Sequence, residues 1–267
     1  KKKIKTKARV YQSFPVRYWD AWLDEKQGHI FTMELHSGAQ PLNLMKEVSL
    51  VQSPGFRLGS FDFGPDGKSV VFTATTEYHT TAYQSAKSNI YTLSLFGGKE
   101  SVLVNDETDY GAVSYTEDGK YLVATGSAIG NKLYYLNRIY RFDVQNHLAK
   151  KELAATLDRP MNDMEIAGSS IFASIEDQGV DRIVEISIAD GSVKSLLGNE
   201  TGSFAGLSLS ANPQLFAYQY QNLASPPEVW VSNNGSLKAI SKANDAVLAG
   251  LDLQKPEVIW TKSSRGK

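Results

Sequence analysis

The chain has 267 residues, enough for one large domain or two, and 42% of them are hydrophobic, so a sizeable core can be buried. A formal net charge of −1 gives no electrostatic reason to expect nucleic acid or a membrane surface as a partner. With no cysteine, disulfides, cysteine nucleophiles and thiolate metal sites are excluded, and no apolar run reaches the ~18 residues that a bilayer-spanning helix needs.

Lysines crowd the segment Lys1 to Lys7, which reads as a solvated lead-in or, less simply, a polybasic tether; no apolar run follows to make a signal peptide. Tyr11, Phe14, Tyr18, Trp19 and Trp22 then form an aromatic, β-prone stretch of the kind a second strand shows, ahead of a hairpin turned at Ser37-Gly38. Residues 46–57 are a connector, broken by Ser53-Pro54-Gly55. From Leu58 to Val104 short alternating runs rich in Val, Phe, Ile, Tyr and Thr predict four antiparallel strands, the first two joined at Pro65-Asp66-Gly67 and the last two at Gly97-Gly98.

That unit recurs. Its third strand is followed easily: His29 to Leu35, Asn89 to Leu95, Arg138 to Val144, Arg182 to Ile188 and Glu228 to Asn234. Its first hairpin returns as Thr116-Glu117-Asp118-Gly119-Lys120. A four-stranded unit of this length cannot bury both faces alone, so copies must pack face to face, and radial stacking is the usual solution. The expected fold is an all-β partial β-propeller of four-stranded antiparallel blades occupying residues 1–250, with about five blades near 1–45, 58–104, 110–154, 161–197 and 204–241. Residues 251–267 start a further blade or lead into another domain.

Two loops between second and third strands are long, Glu77 to Ser88 and Ser127 to Asn137, whereas Asp177 to Asp181 is short. A rigid scaffold that positions long loops can use them for recognition, which makes Tyr78, Tyr83, Lys87, Tyr134, Tyr135, Asn137 and Arg138 the substrate-contact candidates. Catalytic motifs are missing. Gly206-Leu-Ser-Leu-Ser lacks the closing glycine of a nucleophile elbow, and the four histidines, His29, His36, His79 and His147, form no helix-spaced metal pair. The acidic group Asp106, Glu107 and Asp109 defines no facing pair for glycoside hydrolysis. No phosphate loop or dinucleotide fingerprint is present, so no cofactor or metal is expected.

The hairpin Phe61 to Phe72 resembles the repeat of TolB-like propellers and of the propeller domains of prolyl oligopeptidase family serine peptidases. The segment Ala8 to Trp22, with Arg17-Tyr-Trp-Asp20, followed by His29-Ile-Phe31, is similar to the dipeptidyl aminopeptidase and acylaminoacyl peptidase branch of that family. Lys255 to Gly266 resembles the segment by which such propellers enter an α/β-hydrolase domain, with Arg265-Gly266 where Asp-Gly is usual. The resemblance implies the later blades of a seven- or eight-bladed propeller, partnered by a hydrolase domain of the same parent chain that carries the serine, aspartate and histidine. It also implies a peptide substrate and a periplasmic or otherwise extracytoplasmic location, with a cytoplasmic one as the alternative. Such propellers can hold a substrate's free amino end with acidic loop residues; the matching loops here keep aromatics and show no glutamate at those places, which points to an acyl-blocked peptide or to lost activity. The alternative is a stand-alone TolB-like propeller that binds a protein partner.

Overall fold

A computed structural model describes residues 8, 10–11, 14–24, 26–132, 134–198, 201–210, 212–254 and 256–264. The lysine-rich lead-in 1–7, Lys255 and the Arg265-Gly266 pair lie outside the described residues. The chain divides into two compact units, Lys1–Tyr135 with Ile139–Lys151, and Leu136–Arg138 with Glu152–Lys267.

Strands dominate. Two short hairpins come first: β1 (Arg17–Tyr18) with β2 (Ala21–Trp22), then β3 (Phe31–Thr32) with β4 (Leu42–Asn43). Four four-stranded sheets follow, each with its strands in sequence order: β5 (Arg57–Phe63), β6 (Ser69–Thr75), β7 (Asn89–Ser94) and β8 (Ser101–Val104); then β9 (Thr108–Tyr115), β10 (Tyr121–Ala128), β11 (Arg138–Asp143) and β12 (Ala149–Leu153). Next are β13 (Met161–Ala167), β14 (Ser170–Asp177), β15 (Val180–Ser187) and β16 (Val193–Leu197), and finally β17 (Ser203–Leu209), β18 (Leu215–Asn222), β19 (Ser225–Asn233) and β20 (Ser236–Ala239). This is the architecture of propeller blades, and among the described residues no sheet closes on itself.

The second strand of each blade shows why blades must stack. All but the first residue of β6 are buried, which a strand achieves only when both faces of its sheet are covered. Val70, Phe72 and Ala74 point one way, into a cluster with Ile30, Leu44, Met45, Tyr91 and Leu93. Val71 points the other way and joins Tyr110, Val113, Leu122 and Phe142 from the next sheet. In the second unit Ile183 and Leu197 pack against Phe204, Phe216 and Tyr218 by the same logic.

Turn chemistry fixes the hairpins. Gly67 and Gly119 take φ of +62° and +66°, where a Cβ is strained. Asp66 Oδ1 accepts the Lys68 and Ser69 amides at 2.9 and 3.1 Å, and Asp118 Oδ1 accepts the Lys120 amide at 3.0 Å. These bonds account for the carboxylates of the Asp-Gly turns as structural groups; the Lys68 amide foremost holds Asp66, and the Thr116 hydroxyl foremost holds Asp118, below the ordinary carboxylate range.

Candidate functional site

Each long loop is pinned at its end by the same device. The residue just before a third strand accepts a bond from the first strand of the following blade, the Ser88 carbonyl from the Tyr110 amide at 3.0 Å and the Asn137 carbonyl from the Met161 amide at 3.4 Å; after the short loop the direction reverses, the Asp181 amide in β15 donating to the Gly202 carbonyl just before β17 at 3.1 Å. A neighbouring side chain then reaches the segment that leaves the fourth strand. Asn43 Nδ2 donates to His29 Nδ1 at 3.0 Å, Lys87 Nζ to Asn105 Oδ1 at 3.0 Å, Arg138 to the Leu157 carbonyl, and Arg182 to the Gly198 carbonyl at 3.1 Å. Glu228 reverses the polarity: it accepts the Ala243 amide at 3.2 Å, the Asn244 amide at 3.0 Å and the Ser241 hydroxyl. The hydroxyl foremost brings the Glu228 carboxyl down to about 2.

The seven loop candidates are therefore of two kinds. Lys87 is engaged with Asn105 and lies 3.8 Å from Glu107; Asn137 Nδ2 donates to the Met161 carbonyl at 2.9 Å; Arg138 adds Glu152 at 3.6 Å. Tyr135 packs on Gly130, with Lys132 Nζ 5.9 Å from its ring centroid. Tyr83 and Tyr134, by contrast, are 74% and 65% exposed. Tyr78 lies on a short 3₁₀ turn, Tyr78–Thr80, and its ring supports the Arg57 guanidinium at 4.2 Å.

Arg57 and Tyr78 stand on one wall of an open groove of about 1090 Å³, with Tyr11, Phe14, Phe56 and His79 among its lining. The connector 46–57 and the loop after β6 build this wall together. Gly55 bridges Glu77 in parallel, its carbonyl accepts the Tyr78 amide at 2.9 Å, and the Ser53 hydroxyl donates to the Thr76 carbonyl at 3.0 Å. Sequence reasoning passed over Arg57 because its pattern position is simply the start of a strand. The signal available was Ser53-Pro54-Gly55 immediately before it, a tight connector of the sort that lets backbone approach a loop closely.

The acidic group resolves into separate scaffold roles. Lys150 Nζ reaches Asp106 at 2.9 Å and the Thr108 hydroxyl at 2.7 Å while lying 4.2 Å from the Tyr140 ring centroid. Burial alone would raise the Asp106 carboxyl, but the bonds from Lys150 and Tyr110 bring it below its ordinary range; burial pushes the Tyr110 phenol up. Asp109 Oδ1 accepts the Ser88 amide at 2.8 Å. Among the described residues no cluster of three or more His, Asp or Glu side chains could hold a metal ion, no histidine bonds a serine or threonine hydroxyl, and no helix is long and apolar enough to cross a membrane.

No family model matches the chain. It is 26% identical over 303 aligned positions to dipeptidyl-peptidase 5 of Aspergillus oryzae, covering 96% of this chain and 40% of that protein. The acylaminoacyl peptidase of Pyrococcus horikoshii superposes with a TM-score of 0.57 at 16% identity, over 72% of this chain and 28% of that one. The β-propeller domain of the Trilobed protease from Pyrococcus furiosus superposes with a TM-score of 0.54 at 17% identity, over 72% of this chain and 54% of that one. The chain thus spans about 40% of the length of the curated relatives it matches, and its fold is that of β-propeller blades like those of the Trilobed protease.

Proposed function

We propose that this chain is the non-catalytic, substrate-gating propeller portion of a serine peptidase that cleaves short peptides, of dipeptidyl or acylaminoacyl peptidase type, with hydrolysis performed by an α/β-hydrolase domain of the same parent polypeptide. The observation that carries it is the match of nearly the whole chain to 40% of a dipeptidyl-peptidase 5. Stacked blades make a wall too rigid to admit a folded protein, and the exposed Tyr83 and Tyr134 supply amphipathic contact area to a short substrate. The loops 76–88 and 129–137 hold one carboxylate, Glu77, so an ammonium terminus finds little charge to pair with there, and an acyl-blocked peptide fits better.

The test uses the full-length parent protein with dipeptidyl and N-acetylaminoacyl p-nitroanilides, and with casein as the large substrate. Hydrolysis of a small substrate, sparing of casein and covalent labelling by an alkyl fluorophosphonate are expected. A protein that neither hydrolyses nor labels ends the reading. An extracytoplasmic location is part of the same proposal and is checked by fractionating the source cells.

A further inference from the structure

The groove beside Tyr78 holds a charge that no carboxylate among the described residues neutralises. Arg57 is half-buried, its guanidinium is stacked 4.2 Å from the Tyr78 ring centroid, and among the described residues it has no carboxylate partner. Among its described lining, Asp24 and Lys26 pair with each other at 3.4 Å. Stacking occupies a face of the guanidinium and leaves its in-plane N–H groups to donate, in the flat fork that fits a carboxylate.

His79 lines the same wall. Its Nδ1 is buried without a hydrogen-bond partner, close against Gly55. Tyr11, Phe14 and Phe56 furnish apolar surface beside these polar groups. At about 1090 Å³ the groove holds a few residues of extended chain.

We propose that this groove binds the free carboxylate end of a short peptide, with Arg57 as the anchor, Tyr78 as its platform and the aromatic wall receiving the neighbouring side chain. The choice of a peptide rests on the peptidase reading above; the anionic character of the ligand rests on Arg57 alone. An N-acylated peptide carries its charge only at that end, so the loops poor in carboxylate and this groove select the same molecule.

The experiment is calorimetric titration of the full-length protein, treated with fluorophosphonate so that binding is read whether or not hydrolysis occurs. The probes are N-acetyl-Ala-Phe, its C-terminal amide and inorganic phosphate. The acid is expected to bind about 10- to 100-fold more tightly than the amide, as a lost charge-assisted pair dictates. Arg57→Gln should erase that preference, and Arg57→Lys, which keeps the charge without the fork, should retain part of it. Equal binding of acid and amide to the unmutated protein overturns the proposal without recourse to any variant. Phosphate that competes with the affinity of the peptide reduces the site to one for simple anions and overturns it too. A protein that shows the acid preference but hydrolyses no peptide keeps the groove and loses the peptidase.

Discussion

Replacing Gly55 by alanine tests whether the connector and the loop after β6 meet as closely as the groove requires. A Cβ at residue 55 would lie closer than 3.0 Å to both the Thr76 carbonyl oxygen and His79 Nδ1. The imidazole can swing aside. The Thr76 carbonyl cannot, because it accepts the Ser53 hydroxyl and is followed by the bridge between Gly55 and Glu77. Since Gly55 does not adopt positive φ, no backbone strain is added and the effect is steric. Overpacking of this kind costs about 1–3 kcal/mol, and the lower entropy of an unfolded alanine chain offsets it by about 0.4–1 kcal/mol. A Cβ this close to a fixed carbonyl puts the cost at the upper end, so the net loss is about 2 kcal/mol, which lowers Tm by roughly 4–8 °C for a domain of this size. Urea unfolding followed by tryptophan fluorescence reads it directly. Gly55→Ala on a His79→Ala background should recover only the share due to the ring, leaving the clash with the carbonyl. A Gly55→Ala protein within about 0.5 kcal/mol of the parent would refute the close approach and, with it, the geometry assigned to Tyr78 and His79.

Asp177 lies 2.8 Å from Arg159 Nε and 3.0 Å from Arg182 Nε, and the bond from Arg159 foremost holds its carboxyl below the ordinary range. Its folded pKa being the lower one, its contribution is complete above the unfolded value near ~4 and is lost as pH falls through the folded value. Asp177→Asn should cost about 1–2 kcal/mol at neutral pH, and its urea midpoint should fall less steeply than the parent's from pH 5 down to 2. Arg138→Ala is expected to lower stability by about 1–2 kcal/mol through the orphaned Leu157 carbonyl and Glu152; an unchanged urea midpoint with a lowered kcat/KM would instead place Arg138 on the substrate. Tyr83→Ala and Tyr134→Ala in the full-length protein should lower kcat/KM for short peptides about 3- to 10-fold with Tm unmoved, and no change would return both rings to the solvated surface.

The repeat was legible because its determinants are local. An Asp-Gly pair needs only its own turn to take positive φ, and the apolar alternation of β6, β10 and β14 needs only a sheet on either side. The aromatic stretch before His29 was legible only in part. Where composition predicted a second strand, the chain pairs Arg17 with Trp22 and Tyr18 with Ala21 and turns at Trp19, which has φ +51° and is 86% exposed. β-propensity is mostly packing against neighbours, and Trp19 has little to pack on. The run Leu251 to Trp260, which parallels Leu207 to Tyr218 in pattern, forms no strand among the described residues, since a strand is made by its partner as much as by its own side chains. Arg57 was invisible for a related reason: its significance lies in having no carboxylate across space among the described residues, which no window of sequence reports.

The pinning residues explain why choosing loop positions by chemistry alone mixes two roles. A side chain near the start of the third strand meets the end of the fourth strand or the segment that leaves it in each of these five cases, yet that side chain is His29, Lys87, Arg138, Arg182 or Glu228. What each must do is close off one polar group of the connector, a carbonyl in two cases, a side-chain amide in two and backbone amides in the last, so the place repeats while donor and acceptor exchange. Charged and amide side chains collect at loop ends for this purpose. Residues at loop centres are under no such demand: Tyr83 and Tyr134 are held by neither strand, and their large exposed rings cost hydration that no bond within the blade repays. On a scaffold of stitched blades, the side chains free to meet a substrate are therefore those farthest along the loop from either strand, together with any charge, such as that of Arg57, for which the stitching among the described residues supplies no partner.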